Sequence, residues 1–337
     1  MLKPICKEIQ KIENRFRPIE SIGGGSFGSV TKSLDIKNNR IVALKKLKSF
    51  SSEQDEERIV NEVTIVQKLN HPNIVKIYDI FYSTSENCYY ISMEYCQQDL
   101  LALLETHTLN PTQKKSIMKQ ILEALAYLEK RNIIHQDLKP ANILVQDGMR
   151  IKLADFGLAT YYTTDHEMTN CGTLAYNPPE KHLESTILTK TIDVWSAGVL
   201  FYQLITHKVL FQSGLQDVIT ICGAPDPKLW PNVMTFKNYN KCLQWASSNP
   251  SLNSLFTEND KSNYGNVIER IKSMLSLYPD QRPLPSALLE SKDFDSESVS
   301  IQINEEFHQK VHQKSRKPLE NLPIVRPRLP DLSILCY

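Results

Sequence analysis

Between residues 135 and 142 the chain reads His135-Gln136-Asp137-Leu138-Lys139-Pro140-Ala141-Asn142, which sets a carboxylate, an ammonium and a carboxamide at short, fixed spacing. A hydroxyl attacking a γ-phosphate needs three such groups: a carboxylate to orient it and accept its proton, a cation over the developing negative charge, and a neutral oxygen ligand for magnesium. Asp137, Lys139 and Asn142 could supply them in that order. Further along, Ile151-Lys152-Leu153-Ala154-Asp155-Phe156-Gly157 reads as a short apolar strand ending in a carboxylate that can bind a hard cation through oxygen, with a glycine for the turn that follows. Taken singly, each string is as readily an aspartate in a turn or an asparagine capping a helix. Their order along one chain is what points to phosphoryl transfer.

Such groups need elements to hold them. Upstream, Ile22-Gly23-Gly24-Gly25-Ser26-Phe27-Gly28-Ser29-Val30 is a glycine-rich stretch with apolar residues on either side, as in a hairpin. Glycines there let backbone N–H groups approach phosphates with no Cβ in the way. The same letters would serve a dinucleotide-binding loop if a strand ran into a helix. Here Ser29-Val30-Thr31 and then Ile41-Val42-Ala43-Leu44-Lys45 read as strand, turn, strand, so that alternative falls. Residues 53–69 predict a helix: Ser52 with Asp55 makes a capping box, and Ile59, Val63, Val66 and Leu69 form an apolar stripe with Glu62 beside it. Asn110-Pro111 opens a second helix, whose buried face is expected at Ile117, Ile121, Leu125 and Leu128.

The ordered set resembles the eukaryotic protein kinases, whose signatures are GxGxxGxV, a VAIK-type lysine, HRDxxxxN and DFG. The resemblance implies an α+β, bilobal protein kinase fold, with a small β-rich N-lobe carrying one main helix and a larger helical C-lobe. It implies ATP and Mg2+ as cofactors, with Asp137 and Lys139 catalytic and Asn142 and Asp155 holding metal. It places Lys45 on the α- and β-phosphates and, through Leu69-Asn70-His71-Pro72-Asn73-Ile74-Val75, makes Glu62 the partner of Lys45. Gly23, Gly25 and Gly28 would cover the phosphates. In Tyr90-Ile91-Ser92-Met93-Glu94-Tyr95-Cys96, a strand running into the hinge, Met93 is the gatekeeper, Glu94 and Cys96 offer backbone groups to adenine, and Asp99 is placed for the ribose. Ile22, Val30, Ala43 and Leu144 would wall the adenine slot, an apolar slit with a few backbone hydrogen bonds being what a flat purine requires. Scaffold roles follow for Glu180 of Tyr176-Asn177-Pro178-Pro179-Glu180, expected to pair with Arg282, and for Asp193, expected to hold the backbone of the catalytic loop.

Lys139, Pro140 and Gly172-Thr173 resemble serine/threonine kinases, which transfer phosphate to protein substrates. Glu94-Tyr95-Cys96-Gln97-Gln98-Asp99-Leu100 and the stretch from Leu210-Phe211 to Trp230-Pro231 are most similar to the cyclin-dependent branch. Two features depart from that branch, and a third departs from most regulated kinases. Residues 55–61 lack a PSTAIRE-like sequence, so a cyclin-like or other activating subunit is left open as a partner. Asn177 stands where proline-directed members have arginine, and Gln136 stands where most regulated kinases have the HRD arginine that grips a phosphorylated activation segment. The phosphosite would be Thr169; Thr160 occupies a position where a second basic anchor often sits, and Arg58 is left to meet a phosphate from above. Activity is therefore expected to depend little on phosphorylation at Thr169. A pseudokinase, signalling by shape, is the other reading. It usually lacks one of three groups, and Lys45, Asp137 and Asp155 are all present.

The 337 residues divide into an N-terminal extension (1–15), a kinase domain (16–290, N-lobe to about 94 and C-lobe from about 97), and a C-terminal tail (291–337) in which Lys310, Lys314, Arg316, Lys317, Arg326 and Arg328 stand among prolines, an extended or partly disordered composition. A net charge of +1, from 39 basic against 38 acidic residues, argues against a general nucleic-acid binder. No apolar run approaches the ~20 residues of a bilayer span, and the first residues lack the apolar stretch of a signal peptide. A cytoplasmic or nuclear protein with no membrane partner is expected. The seven cysteines are scattered and without CxxC pairing, so they read as reduced thiols rather than a zinc or disulfide framework.

Overall fold

Along Tyr89-Tyr90-Ile91 successive side chains face opposite sides of a strand, and each side has its own apolar core. Tyr90 packs with Ile12, Phe16, Val42, Leu44, Phe81 and Cys88, whereas Tyr89 and Ile91 pack with Leu47, Val63 and Ile80. That alternation, repeated on neighbouring strands, makes a six-stranded sheet in the order β1-β5-β6-β4-β3-β2. The strands are β1 (Lys7–Ile9), β2 (Phe16–Gly25), β3 (Gly28–Asp35), β4 (Arg40–Leu47), β5 (Ile77–Ser83) and β6 (Cys88–Glu94). The structure, a computed structural model, describes residues 6–25, 28–47, 63–163, 168, 171–246 and 252–295. All of them belong to one compact unit spanning residues 1–300.

Residues 6–15, within the expected N-terminal extension, pack against the sheet. β1 pairs parallel with β5, with Lys7 opposite Phe81, Ile12 is buried in the core, and Arg15 bonds Asp35 at 3.1 Å and Asp79 at 3.2 Å. Of the helix expected over 53–69, residues 63–67 are described as helical, and Val63, Val66 and Leu69 are buried. Ser52, Asp55, Arg58, Ile59 and Glu62 lie outside the described residues, as do Ser26, Phe27, Thr169 and the tail from 296.

Below the sheet the chain turns helical. β7 (Gln98–Asp99) leads into α1 (Leu100–Thr106), and α2 runs Pro111–Glu129. Asn110 caps α2 as expected, and Gln113 answers it in a reciprocal capping box. Its Ile117, Ile121, Leu125 and Leu128 are all buried. After α3 (Pro179–His182), α4 (Ile192–Thr206) is buried at every position but the last, the pattern of a helix running through the middle of a core. α5 (Leu215–Cys222), α6 (Tyr239–Trp245), α7 (Glu258–Met274) and α8 (Pro285–Glu290) complete the lobe. Phe294, 1% exposed, packs its ring 5.8 Å from that of Phe201 on α4, which carries the lobe past the expected end at 290. Arg282 and Glu180 form a bidentate pair, both bonds 2.7 Å, with both side chains fully buried. Among the described residues no helix is long and apolar enough to cross a membrane.

Two small sheets hold the loops that face the cleft. β9 (Ile143–Gln146) pairs with β10 (Arg150–Leu153) and β7, and β8 (Ile133–Ile134) pairs with β11 (Thr160–Tyr161). Thr160 is thereby fixed opposite Ile134.

Candidate active site between the lobes

Asp193, in the first turn of α4, accepts hydrogen bonds from the backbone N–H groups of His135 (2.6 Å) and Gln136 (2.8 Å). One carboxylate thus fixes the start of the 135–142 loop, as expected, and holds Gln136 at a positive φ of 68°. His135 is fully buried; its Nε2 lies 3.0 Å from the Ala154 carbonyl and its ring packs edge-on against Phe156. The 135–142 loop and the Asp155-Phe156-Gly157 turn are therefore locked to each other.

Asp137 stands at the centre of a hydrogen-bonded cluster. Its Oδ2 accepts from Lys139 Nζ (2.7 Å) and Asn142 Nδ2 (3.0 Å), and its Oδ1 accepts from Thr173 Oγ1 (2.7 Å). Lys139 also donates to Thr173 Oγ1 at 2.8 Å. Thr173 entered the sequence reading only as half of Gly172-Thr173; its bond to Asp137 spans 36 positions and no local pattern announces it. Asn142 turns its NH₂ onto the Asp137 carbonyl (2.8 Å) and carboxylate, which leaves Oδ1 as its free acceptor for a hard cation.

Lys45, delivered by β4 opposite Ile91, reaches Asp155 with an Nζ–Oδ1 distance of 3.0 Å and is 8% exposed. Asp155 sits at φ 60°, a left-handed backbone that a non-glycine residue adopts only when its surroundings insist. Burial alone would push its carboxyl up, but Lys45, by charge and by hydrogen bond, with His135 and Lys139 behind it, holds it below the usual carboxylate range. The expected partner of Lys45, Glu62, lies outside the described residues.

Between these two clusters and the β-sheet lies a cleft of about 470 Å³. Ile22, Val30, Ala43 and Leu144 line it, and Val66 and Ile91, expected only in a helix stripe and a strand, deepen its apolar wall. Gly28 has a φ of 141°, and a Cβ there would come 2.0 Å from the Lys46 carbonyl oxygen, so the hairpin itself demands glycine. At Gly23 a Cβ would meet only ordinary contacts with Val30, so the fold does not require glycine there and its bareness leaves room in the cleft. Gly25 closes β2 opposite Gly28.

At the hinge, Glu94 donates its N–H to the Lys76 carbonyl (2.9 Å), so a base could meet only its carbonyl. Its carboxylate points away to Lys152 (2.9 Å) and Gln146 (3.1 Å). Cys96 and Met93 line the cleft, and burial pushes the Cys96 thiol up to about 12. Asp99 lines the cleft too, while its Oδ1 caps α1 through Ala102 N at 2.8 Å, a task the sequence reading did not assign; burial raises its carboxyl.

The residues present fit a magnesium nucleotide. An apolar slot of suitable volume ends at an ammonium, a carboxylate and a carboxamide oxygen. Among the described residues no group of three or more His, Cys, Asp or Glu could hold a metal. Two protein oxygens, completed by phosphate and water, is the habit of magnesium rather than of zinc or calcium.

Comparison with known proteins agrees with this geometry. Residues 16–294 match the family described as protein kinase domain. Cyclin-dependent kinase 2 of Caenorhabditis elegans is 34% identical over 303 residues, 84% of this chain and 79% of that protein. Cyclin-dependent kinase C-3 of Oryza sativa subsp. japonica is 33% identical over 288 residues, 79% of this chain and 87% of that protein. Cyclin-dependent kinase 12 of Drosophila melanogaster is 34% identical over 287 residues, 79% of this chain and 24% of that protein.

Proposed function

The chain belongs to the protein kinase family, near its cyclin-dependent branch, and we propose on that premise that it transfers the γ-phosphate of ATP to serine or threonine hydroxyls of protein substrates. The observation that carries the proposal is the meeting in one cleft of the Lys45–Asp155 pair and the Asp137–Lys139–Asn142–Thr173 cluster. In this reading Asp137 accepts a hydrogen bond from the substrate hydroxyl in place of that from Thr173, orients it and takes its proton. Lys139, already on Asp137, lies where charge develops on the transferring group. Lys45 holds the α- and β-phosphates, and Gly23, Gly25 and Gly28 leave the backbone of β2 and β3 close enough to cover them. Asp155 and Asn142 Oδ1 would hold magnesium, which neutralises phosphate charge when bound.

The Gln136 departure belongs to the same proposal. Gln136 is 4% exposed; its Nε2 donates to the Leu158 carbonyl (3.0 Å) and its Oε1 accepts a long bond from the Cys171 thiol (3.9 Å). A neutral amide thus ties together both ends of the segment that a phosphate and arginine organise in most regulated members. Activity largely independent of phosphorylation at Thr169 follows. An activating subunit of the kind named in the relatives is proposed only if the purified chain is inactive alone.

Lys45→Met is the first test. The variant should keep the wild-type fold, read by circular dichroism, and lose phosphotransfer to generic Ser/Thr substrates and to its own chain. Wild-type protein that transfers no phosphate and shows no thermal shift with Mg·ATP would overturn the enzyme reading.

A further inference from the structure

Lys181, on α3, is 1% exposed and ranks among the largest fully buried side chains of the molecule. A buried ammonium is costly unless hydrogen bonds and nearby negative charge offset its lost hydration. The carboxylates nearest it spend their hydrogen bonds on other groups. Glu180 already has Arg282 on both oxygens and Thr189 on one, and Asp193 has both oxygens on the backbone of His135 and Gln136. The hydrogen bonds of Lys181 run elsewhere: Nζ donates to the Cys171 carbonyl at 3.1 Å and lies 3.9 Å from the Cys171 sulfur. Burial pulls the ammonium below the ordinary lysine value, while Cys171, Asp193, Glu180 and Asp137 work to keep it charged.

Cys171 is a sensitive place to hold. Gly172 follows it at a φ of 99°, so close to the 135–142 loop that a Cβ would stand 2.8 Å from the Gln136 carbonyl oxygen and 2.7 Å from Asn177 Oδ1. Thr173, next in line, bonds Asp137 and Lys139. Fixing the Cys171 carbonyl therefore fixes the approach of the chain to Asp137, beside the Gln136 amide that meets the Cys171 thiol.

We infer that Lys181 is a positioning residue: its ammonium grips the Cys171 carbonyl and keeps residues 171–173 seated on Asp137 and Lys139, serving phosphotransfer if the kinase reading above holds. An internal cation supplies from within the C-lobe a tether that needs no modification of the segment.

The test is amide hydrogen exchange on the full chain without substrate, comparing wild type with Lys181→Met, which keeps the length of the stem and removes the charge. Exchange across residues 171–176 should quicken at least tenfold while α4 stays protected. Equal exchange in the two proteins overturns the inference. Should Lys181→Met not fold, Lys181→Gln, which keeps a shorter neutral donor, carries the comparison: about threefold faster exchange is expected, and no change overturns it. Kinetics give a second readout. Lys181→Met should lower kcat/KM for a peptide substrate at least tenfold with KM for ATP unchanged, whereas a merely structural lysine would move the melting temperature and both substrates together. Wild-type protein without phosphotransfer would count against the kinase reading alone, since the exchange comparison decides the tether by itself.

Discussion

At the scale of single residues, the two aspartates of the cleft hold different company, and that separates what they can do. Asp155 faces the Lys45 ammonium at the inner end, whereas Asp137 is ringed by Lys139, Asn142 and Thr173 where a substrate hydroxyl would arrive. Asp155→Asn should weaken Mg-dependent nucleotide binding, and Asp137→Asn should lower turnover with nucleotide affinity kept, as titration calorimetry with and without Mg2+ would show. Equal losses of affinity in the two variants would contradict this division. The Lys45–Asp155 pair also has a pH signature. The carboxyl of Asp155 is held below its ordinary value, near 3.9 for a free aspartate, so its contribution to stability is complete above that value and is lost as pH falls through the lower, folded one. The gap in melting temperature between wild type and Asp155→Asn should therefore narrow as pH falls below about 4; a gap that widens there would be inconsistent with the pair. The identities of these groups were legible from short-range spacing. The bonds that set their geometry were not, because Thr173 to Asp137 and Asp193 to the loop backbone join positions far apart in the chain.

At the scale of elements, legibility followed how local the deciding force is. Asn110-Pro111 announces α2 because an N-cap and a first-turn proline act within four residues. β1 was missed because Lys7–Ile9 is three residues long and largely exposed, and what holds it extended, its parallel pairing to β5, the Lys7–Asp79 ion pair and the packing of Ile9, joins it to residues some seventy positions away. The capping duty of Asp99 was missed because the same carboxylate faces the cleft. The element with the clearest functional consequence is the segment from Asp155 to Glu180, tied at Leu158 and Cys171 by Gln136. With a neutral amide in that place, Thr169→Ala should keep kcat/KM within about tenfold of wild type, roughly 1.4 kcal/mol of transition-state stabilisation. A larger loss in the unphosphorylated or alanine form would show that a cation such as Arg58 reads a phosphate after all.

At the scale of the molecule, the bilobal architecture followed from sequence because its motifs come in an order that one fold alone arranges around one cleft. The boundaries were less legible: Ile12 and Phe294 are buried by contacts with distant parts of the chain, and so the lobes extend beyond the stretch that the motifs span. The proposed phosphotransfer requires the two clusters to act together across that cleft. The most direct measurement is mass spectrometry of the purified chain incubated with Mg·ATP and a mixture of Ser/Thr peptides, beside Asp155→Ala under the same conditions. Wild type should add phosphate to serine or threonine, in the peptides or in its own chain, and Asp155→Ala should add at least a hundredfold less, about 2.7 kcal/mol of lost transition-state stabilisation. Equal phosphate in the two samples, or none in either with no thermal shift of wild type by Mg·ATP, would contradict the account.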